Sequence, residues 1–406
     1  MSEWKKVKLK DCCIKIGSGS TPKGGSMVYV NSGTSLIRSQ NVYNLSFDYN
    51  GLTHITEDAA NKLKGVTVFN EDILLNITGD SVARTCIVPK GVLPARVNQH
   101  VAIIRTDRKK MNWRFLNYYL ASPKMQAHML SLAVGKGASR NAMTKQMIEN
   151  FEVPYPPLST QHRIATILSR YDSLIENYQK QIKLLEEAAQ RLYKEWFINL
   201  HFPGHENTNI IDGVPEGWEK KNVNSIIELQ SGFAFKSSTF DDNGTYKIVT
   251  IKNVKDGAFD GDNVSKIVAI PDKMPKHCIL ADGDILLSLT GNVGRVCIVK
   301  GKSYLLNQRV AKLATDYKAF TYCLFRSRDM FIEVNNLANG AAQQNVSPIR
   351  IGEMKILLPN SELLQEFESI VFKSVARIIS LQSQLHLLTE ARDRLLPKLM
   401  SGEIEI

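Results

Sequence analysis

Residues 158–197 read LSTQHRIATILSRYDSLIENYQKQIKLLEEAAQRLYKEWF. The stretch holds no proline or glycine, so nothing in it stops a helix. Apolar residues recur at Ile164, Ile167, Tyr171, Leu174, Tyr178, Ile182, Leu185, Ala189, Leu192 and Trp196. Steps of three and four put them on one stripe, with mostly Arg, Lys, Glu and Gln opposite. Forty residues at about 1.5 Å each make a rod of roughly 60 Å. Such a rod is too long for one small domain, and its stripe needs a partner helix. An ordinary amphipathic helix in a globular core would be the simpler reading. It is set aside because the chain writes a similar helix again over residues 361–400.

The second stripe runs Phe367, Val371, Ser374, Ile378, Leu381, Leu385, Leu388, Arg392 and Leu395, with two polar lapses. Pro397 and Gly402 are expected to close it. The expected seam takes Ile167, Tyr171, Leu174, Tyr178, Leu185 and Leu192 from the first helix. From the second it takes Ile378, Leu385, Leu388 and Leu395. An antiparallel return is the simplest pairing, and the C-terminal GEIEI then runs back toward the first block.

The globular blocks between the helices also repeat. Trp4 and Trp218 open them, each followed by a basic strand-like segment and a glycine turn, Gly17 matched with Gly232. IRSQNV at 37–42 matches VTIKNV at 249–254, and EDILL at 71–75 matches GDILL at 283–287. Thr78-Gly79 then matches Thr290-Gly291, Asn98-Gln99 matches Asn307-Gln308, and GASRNAMT from Gly137 matches GAAQQNVS from Gly340. The offset drifts from 214 to 203, as loops of unequal length require. Short β-rich runs, turn residues and one helical segment per block read as mixed α/β. The fold class expected is therefore two tandem mixed α/β domains separated by an antiparallel two-helix coiled-coil spacer. A Pro-, Gly- and Asn-rich linker at 201–217 divides the halves.

At 406 residues, 43% hydrophobic and 22% charged, the chain is ordinary globular material with room for two domains. A net charge of +11 points to a polyanionic partner, most simply nucleic acid. The start lacks an apolar signal core and no run is long enough to span a membrane, so a cytoplasmic protein is expected. Six cysteines without CxxC spacing read as reduced thiols. No P-loop run exists. Pro154-Tyr155-Pro156-Pro157 lacks the Asn or Asp that a base methyltransferase would place before the prolines. Glu353-Met354-Lys355 has Asn150-Phe151-Glu152 as its counterpart, so a nuclease carboxylate site is missing from that copy, and His201 and His205 sit in the linker. The chain reads as a non-enzyme.

Binding chemistry remains. GSGSTPK at 17–23 offers Ser18, Ser20, Thr21 and Lys23 for phosphate contact, and GFAFKSS at 232–238 offers Lys236 and Ser237. Arg38, Gln40 and Asn41 in one half, with Lys252 and Asn253 in the other, carry the groups that read base edges. Ser139, Arg140 and Asn141 repeat that inventory on the Gly-Ala loop, as do Gln343, Gln344 and Asn345. Gln99 and His100, with Gln308 and Arg309, repeat it again. Framework residues match between halves while the polar loop residues mostly differ. Two similar scaffolds with different reading residues suit a bipartite, asymmetric DNA site. A rod of roughly 60 Å is comparable to one or two DNA turns of about 34 Å.

The order block, long helix, block, long helix resembles the specificity subunit of type I restriction–modification enzymes. The resemblance rests on Pro156-Pro157-Leu158 with Gln161 and Ile164, on Thr78-Gly79 and Thr290-Gly291, on GAAQQNVS, and most specifically on RLLPKLMSGEI at 394–404. It covers essentially the whole chain; GASRNAMT is a looser version of its counterpart. It implies target-recognition domains at 1–157 and 201–360, with spacer helices at 158–200 and 361–406. It further implies double-stranded DNA as ligand and helices that dock methylation subunits. No cofactor is expected on this chain. S-adenosylmethionine is implied on two methylation subunits, and ATP with Mg²⁺ on two restriction subunits. The competing reading is a helical scaffold whose charge is incidental, which predicts no salt-dependent binding to duplex DNA. An enzyme with an unrecognised site predicts activity from the isolated chain.

Overall fold

The computed structural model describes residues 4–134, 141–262, 264–338 and 344–406. The chain forms two compact units, one of Met1–Ile175 with Leu388–Ile406 and one of Glu176–Leu387. Each unit thus takes a part of each long helix.

In the first unit, the DILL run becomes the strand Ile73–Asn76 inside a four-stranded antiparallel sheet. Its neighbours are Thr85–Ile87 and Val101–Thr106, and Cys13–Ser18 pairs with the latter at the edge. Ile73, Leu74 and Leu75 are all fully buried, which explains a continuous apolar run instead of alternation. Ile73 and Leu75 face the core shared with the helices, while Leu74 faces a second, five-stranded sheet. In that second sheet Thr34–Ile37 runs parallel to Ala95–Val97.

The second unit repeats this at the level of register. Ile285 pairs with Ile298 as Ile73 pairs with Ile87, and Val249 pairs with Leu306 as Ile37 pairs with Val97. Leu286 again faces the outer sheet while Ile285 and Leu287 face the helical core. Paired helices follow in both units: Trp113–Ala121 with Pro123–Ala133, and Lys318–Arg326 with Arg328–Ala338.

The first long helix spans Leu158–Tyr193 and continues into a π-helical turn, Lys194–Ile198. The second spans Ser361–Ser401, so Pro397 lies inside it and does not close it. The missing N–H costs one bond in the last turns, where Leu396, Leu399 and Met400 are buried in the first unit's core and hold the helix. Gly402, at φ +73°, makes the actual stop. Ile404 and Ile406 then pack against that same core.

Within the first unit Ile164, Ala165 and Leu168 share a core with Leu396 and Leu399. Within the second, Ala189, Tyr193, Trp196 and Phe197 share one with Phe367, Val371 and Val375. The start of one helix meets the end of the other each time, so the pairing is antiparallel. Four aromatic neighbours surround Phe367, the nearest being Phe197 at 4.9 Å between ring centroids.

The seam departs from the expected stripe. Leu174 is 44% exposed, while Ile175 beside it is 8% exposed. Tyr193 is buried, and Leu192 only flanks the core. A straight helix at 3.6 residues per turn drifts against a fixed stripe, so the buried face moves by one position. Ile378 is fully buried, Ile167 and Leu395 flank the first unit's core, and Tyr171, Tyr178, Leu185, Leu385 and Leu388 are half-buried.

Buried polar groups tie the long helices to each domain. In the first unit, Gln161 is fully buried, accepts from Asn112 N at 2.8 Å and donates to Pro156 O at 3.0 Å. Arg392, one of the polar lapses, pairs with Asp172 at 2.9 Å, and Asp172 also accepts from the Tyr118 hydroxyl. The lapse is thus an ion pair. In the second unit Glu368 accepts from Ala319 N at 2.8 Å and Phe320 N at 3.0 Å, which anchors that helix start. Burial pushes the Glu368 carboxyl above its ordinary value, against the pull of those N–H groups. All six cysteines are free, and burial pushes the Cys86 thiol up to about 12. Among the described residues no group of three or more His, Cys, Asp and Glu is placed to hold a metal, and no helix is long and apolar enough to cross a membrane.

Candidate nucleic-acid interface

In the first unit, four repeated turns and loops meet through backbone hydrogen bonds. Ile77 N donates to His100 O at 3.0 Å, which joins the Thr78-Gly79 turn to the Asn98-Gln99 turn. Gly79 N donates to Asn141 O at 3.0 Å and Met143 N to Ile77 O at 2.8 Å, which straps down the end of the Gly-Ala loop. Gly19 N donates to Val101 O at 2.9 Å and Ser20 N to Val97 O at 3.0 Å, which adds the glycine-rich loop.

The second unit makes the same set. Leu289 N donates to Arg309 O at 3.0 Å, Gly291 N to Gln344 O at 3.0 Å, and Val346 N to Leu289 O at 3.0 Å. Gly232 N reaches Val310 O at 3.3 Å and Phe233 N reaches Leu306 O at 2.9 Å. These bonds correct one alignment: Gly19, not Gly17, is the equivalent of Gly232. A Cβ on Gly19 would lie 2.0 Å from Val97 O, and one on Gly232 would lie 2.2 Å from Asn307 O. Backbone approaches that close admit only glycine. With the shift of two, Lys23 and Lys236 fall at equivalent positions.

A groove of about 530 Å³ in the first unit brings together Gln40, His100 and Asn141. Thr78 Oγ1 lies 2.6 Å from His100 Nδ1, Gln99 Nε2 lies 3.1 Å from His100 Nε2, and Thr21 donates to Gln99. Among the lining residues that fall outside the set expected from the sequence are Tyr43 and Arg84. The Arg84 guanidinium sits over the Tyr43 ring at 4.5 Å from its centroid. Arg84 aligns with Arg295 in the repeat, and no spacing marks it as facing the groove. One carboxylate, Asp80, also lines it.

Outside the groove, Ser18, Ser20 and Lys23 are exposed along the glycine-rich loop. Arg38 is half-buried, and its Nη2 donates to Gly51 O at 2.7 Å, beside Gln40 Nε2 at 3.2 Å. In the second unit Lys236, Ser237, Lys252, Gln308, Arg309, Gln344 and Asn345 are exposed. Thr290 Oγ1 donates to Asn345 at 2.8 Å where Thr78 meets His100. Ser139, Arg140 and Gln343 lie outside the described residues.

Asn41 and Asn253 leave the set of base readers. They are 0% and 1% exposed. Asn41 accepts from Arg38 N at 3.0 Å and donates to Asp48 O at 2.9 Å; Asn253 accepts from Thr250 N at 2.8 Å and donates to Asp260 O at 2.9 Å. Their amides organise matching turns, so their recurrence reports packing and not recognition.

Amides, hydroxyls, imidazole and guanidinium groups on rigid sheet turns supply donors and acceptors for base edges and phosphates. Two such surfaces on a duplicated domain define a bipartite reader of nucleic acid. The chain belongs to the family of type I restriction modification DNA specificity domains, which matches residues 1–187 and 215–387. It is 27% identical over its whole length to the MjaIX specificity subunit of Methanocaldococcus jannaschii, covering 94% of that protein. It is 26% identical to the EcoBI specificity subunit of Escherichia coli, over 78% of this chain and 66% of that one. The fold matches the crystal structure of a type I system S subunit from M. genitalium, with TM-score 0.64 and 16% identity over 98% of this chain and 96% of that one. The chain is a specificity subunit, which is non-catalytic; its role is sequence-specific DNA recognition within a multisubunit restriction–modification complex.

Proposed function

We propose that each unit reads one half of a bipartite, asymmetric duplex site, and that the paired long helices set the unread gap and dock methylation subunits. The observation that carries this reading is the matched backbone bonding of the two sets of turns, which present different side chains at equivalent places. His100 stands where Arg309 stands, and Ser20 where Phe233 stands. A shared scaffold with changed donors and acceptors binds two different short sequences. The working assembly is two methylation subunits carrying S-adenosylmethionine and two restriction subunits using ATP and Mg²⁺, in the cytoplasm. The net charge of +11 supports the phosphate-contact part of binding.

Methylation mapping of genomic DNA from cells with and without this chain, partner genes present, tests the reading. A methylated two-part motif that vanishes with the chain is expected. Unchanged methylation, together with duplex binding that does not weaken with salt, would establish the helical scaffold instead.

A further inference from the structure

We infer that Arg84, held over Tyr43, reads a guanine in the half-site of the first unit; the inference rests on the proposed half-site reading and adds a residue and a base to it. Four observations converge on this side chain. Arg84 lines the groove that collects Gln40, His100 and Asn141. Its guanidinium stacks on the Tyr43 ring at 4.5 Å, which leaves the edge of the plane, with its paired N–H donors, available to a ligand. It makes no hydrogen bond or ion pair to another described side chain. Its backbone is fixed from both sides, Arg84 N donating to Ser81 O at 3.2 Å and Arg84 O accepting from Asn76 N at 2.8 Å.

The turn that presents it is strained. Ala83, fully buried, sits at φ +75° immediately before Arg84, a conformation that the second unit gives to glycine, Gly294 at φ +84°. L side chains rarely adopt that region, so the first unit keeps this presentation against a local steric penalty. The equivalent of Tyr43 is Lys255, which pairs with Asp260 at 3.9 Å, so the second unit has no ring at that position. Among the described residues, arginines stacked on a ring occur in the first unit and not in the second. A planar fork with free donors matches the O6 and N7 acceptors of guanine, a pairing that discriminates by about 5- to 150-fold.

The test uses the assembled methylation complex carrying Arg84→Met or Arg84→Ala, which both remove the donors, with Tyr43→Leu as a second route to the same loss. Both Arg84 variants keep the backbone bonds, and thermal melting checks that they fold. Motif mapping is expected to show one relaxed G·C position in one half-site, with the other half-site intact. Competition with duplexes carrying 7-deazaguanine at each guanine of that half-site should cost the wild type about 10-fold or more at one position, and should cost Arg84→Ala nothing there. A motif that keeps every position while binding falls uniformly makes Arg84 a phosphate contact and overturns the inference. Relaxation in the other half-site overturns it too. A wild-type complex with no two-part motif removes the half-site reading itself, which separates that failure from this one.

Discussion

Gly19 offers the sharpest test of how the interface is built. Its φ lies outside the left-handed region, so an alanine there meets no positive-φ strain. The obstacle is space. The added Cβ would meet Val97 O at 2.0 Å and Asn98 O at 2.3 Å, far inside the 3.4 Å at which ordinary contact begins. Both obstacles are backbone atoms of the Asn98-Gln99 turn, so no side chain can swing aside. The loop must lift, which strains the sheet end by about 1–3 kcal/mol. Lifting also opens Gly19 N to Val101 O and Ser20 N to Val97 O, each worth about 1 kcal/mol. Gly19→Ala should therefore cost about 3–5 kcal/mol, a large share of a stability of about 5–15 kcal/mol. Gly17→Ala, with nothing within 4 Å of its Cβ, should stay within about 0.5 kcal/mol. Urea unfolding of the two variants measures the difference, and methylation of the bipartite motif by the assembled complex reads the functional consequence. Gly232→Ala should reproduce the Gly19 loss in the second unit, where its Cβ meets Asn307 O at 2.2 Å. Equal stability of Gly17→Ala and Gly19→Ala would refute the close-approach argument and the register that pairs Gly19 with Gly232.

Three further outcomes are expected. Asn41→Ala should lower the urea midpoint by an amount equivalent to about 1–3 kcal/mol, because buried backbone groups lose their partners, while leaving the recognised motif unchanged; Gln40→Ala, on an exposed position, should leave stability unchanged. Ile175→Ala should cost about 2–4 kcal/mol and Leu174→Ala under about 0.5 kcal/mol, as urea titration would show; the reverse order would restore the stripe expected from the sequence. Because burial holds the Glu368 carboxyl above its ordinary value, the folded chain binds that proton more tightly than the unfolded one. This group therefore lowers stability as pH rises from the ordinary carboxyl value to the raised one, and adds nothing further above it. Glu368→Gln should flatten that limb of the stability–pH curve, and an unchanged limb would discard the assignment.

The two long helices and the duplication were legible because both are written as patterns: apolar spacing in one case, repeated DILL, Thr-Gly and Gly-Ala strings in the other. The seam was not, since helical drift moves burial from Leu174 to Ile175 and periodicity cannot see which neighbour wins. Pro397 reads as a stop in any sequence; only the packing of Leu396 and Leu399 shows why the helix runs past it. Arg392 looked like a flaw in the stripe until Asp172 stood opposite it, 220 residues away in sequence. Among the candidate readers, Asn41 and Asn253 were selected by recurrence. Recurrence cannot distinguish an amide that shapes a turn from one that faces a ligand, and here burial decides against them. Tyr43 and Arg84 lie 41 residues apart and carry no shared motif, so only the folded groove reveals them as a pair.

The division of labour at the turns explains how one fold can serve two sequences. The bonds that both units share at these turns run backbone to backbone, from Gly79 N to Asn141 O and from Gly291 N to Gln344 O, from Ile77 N to His100 O and from Leu289 N to Arg309 O. The shared scaffold at those places therefore does not depend on which side chain the residue carries. Where a side chain does hold it, as with Asn41 and Asn253, the residue is the same in both halves. At other places the residues can diverge, imidazole to guanidinium at His100 and Arg309, hydroxyl to phenyl at Ser20 and Phe233. A substitution at such a position changes the donors offered to DNA without opening a backbone bond. Exchanging His100 for Arg should accordingly leave the urea midpoint of the chain in place and alter the motif methylated by the complex. A stability loss near that of Gly19→Ala would show that His100, through its contact with Thr78, is part of the scaffold after all.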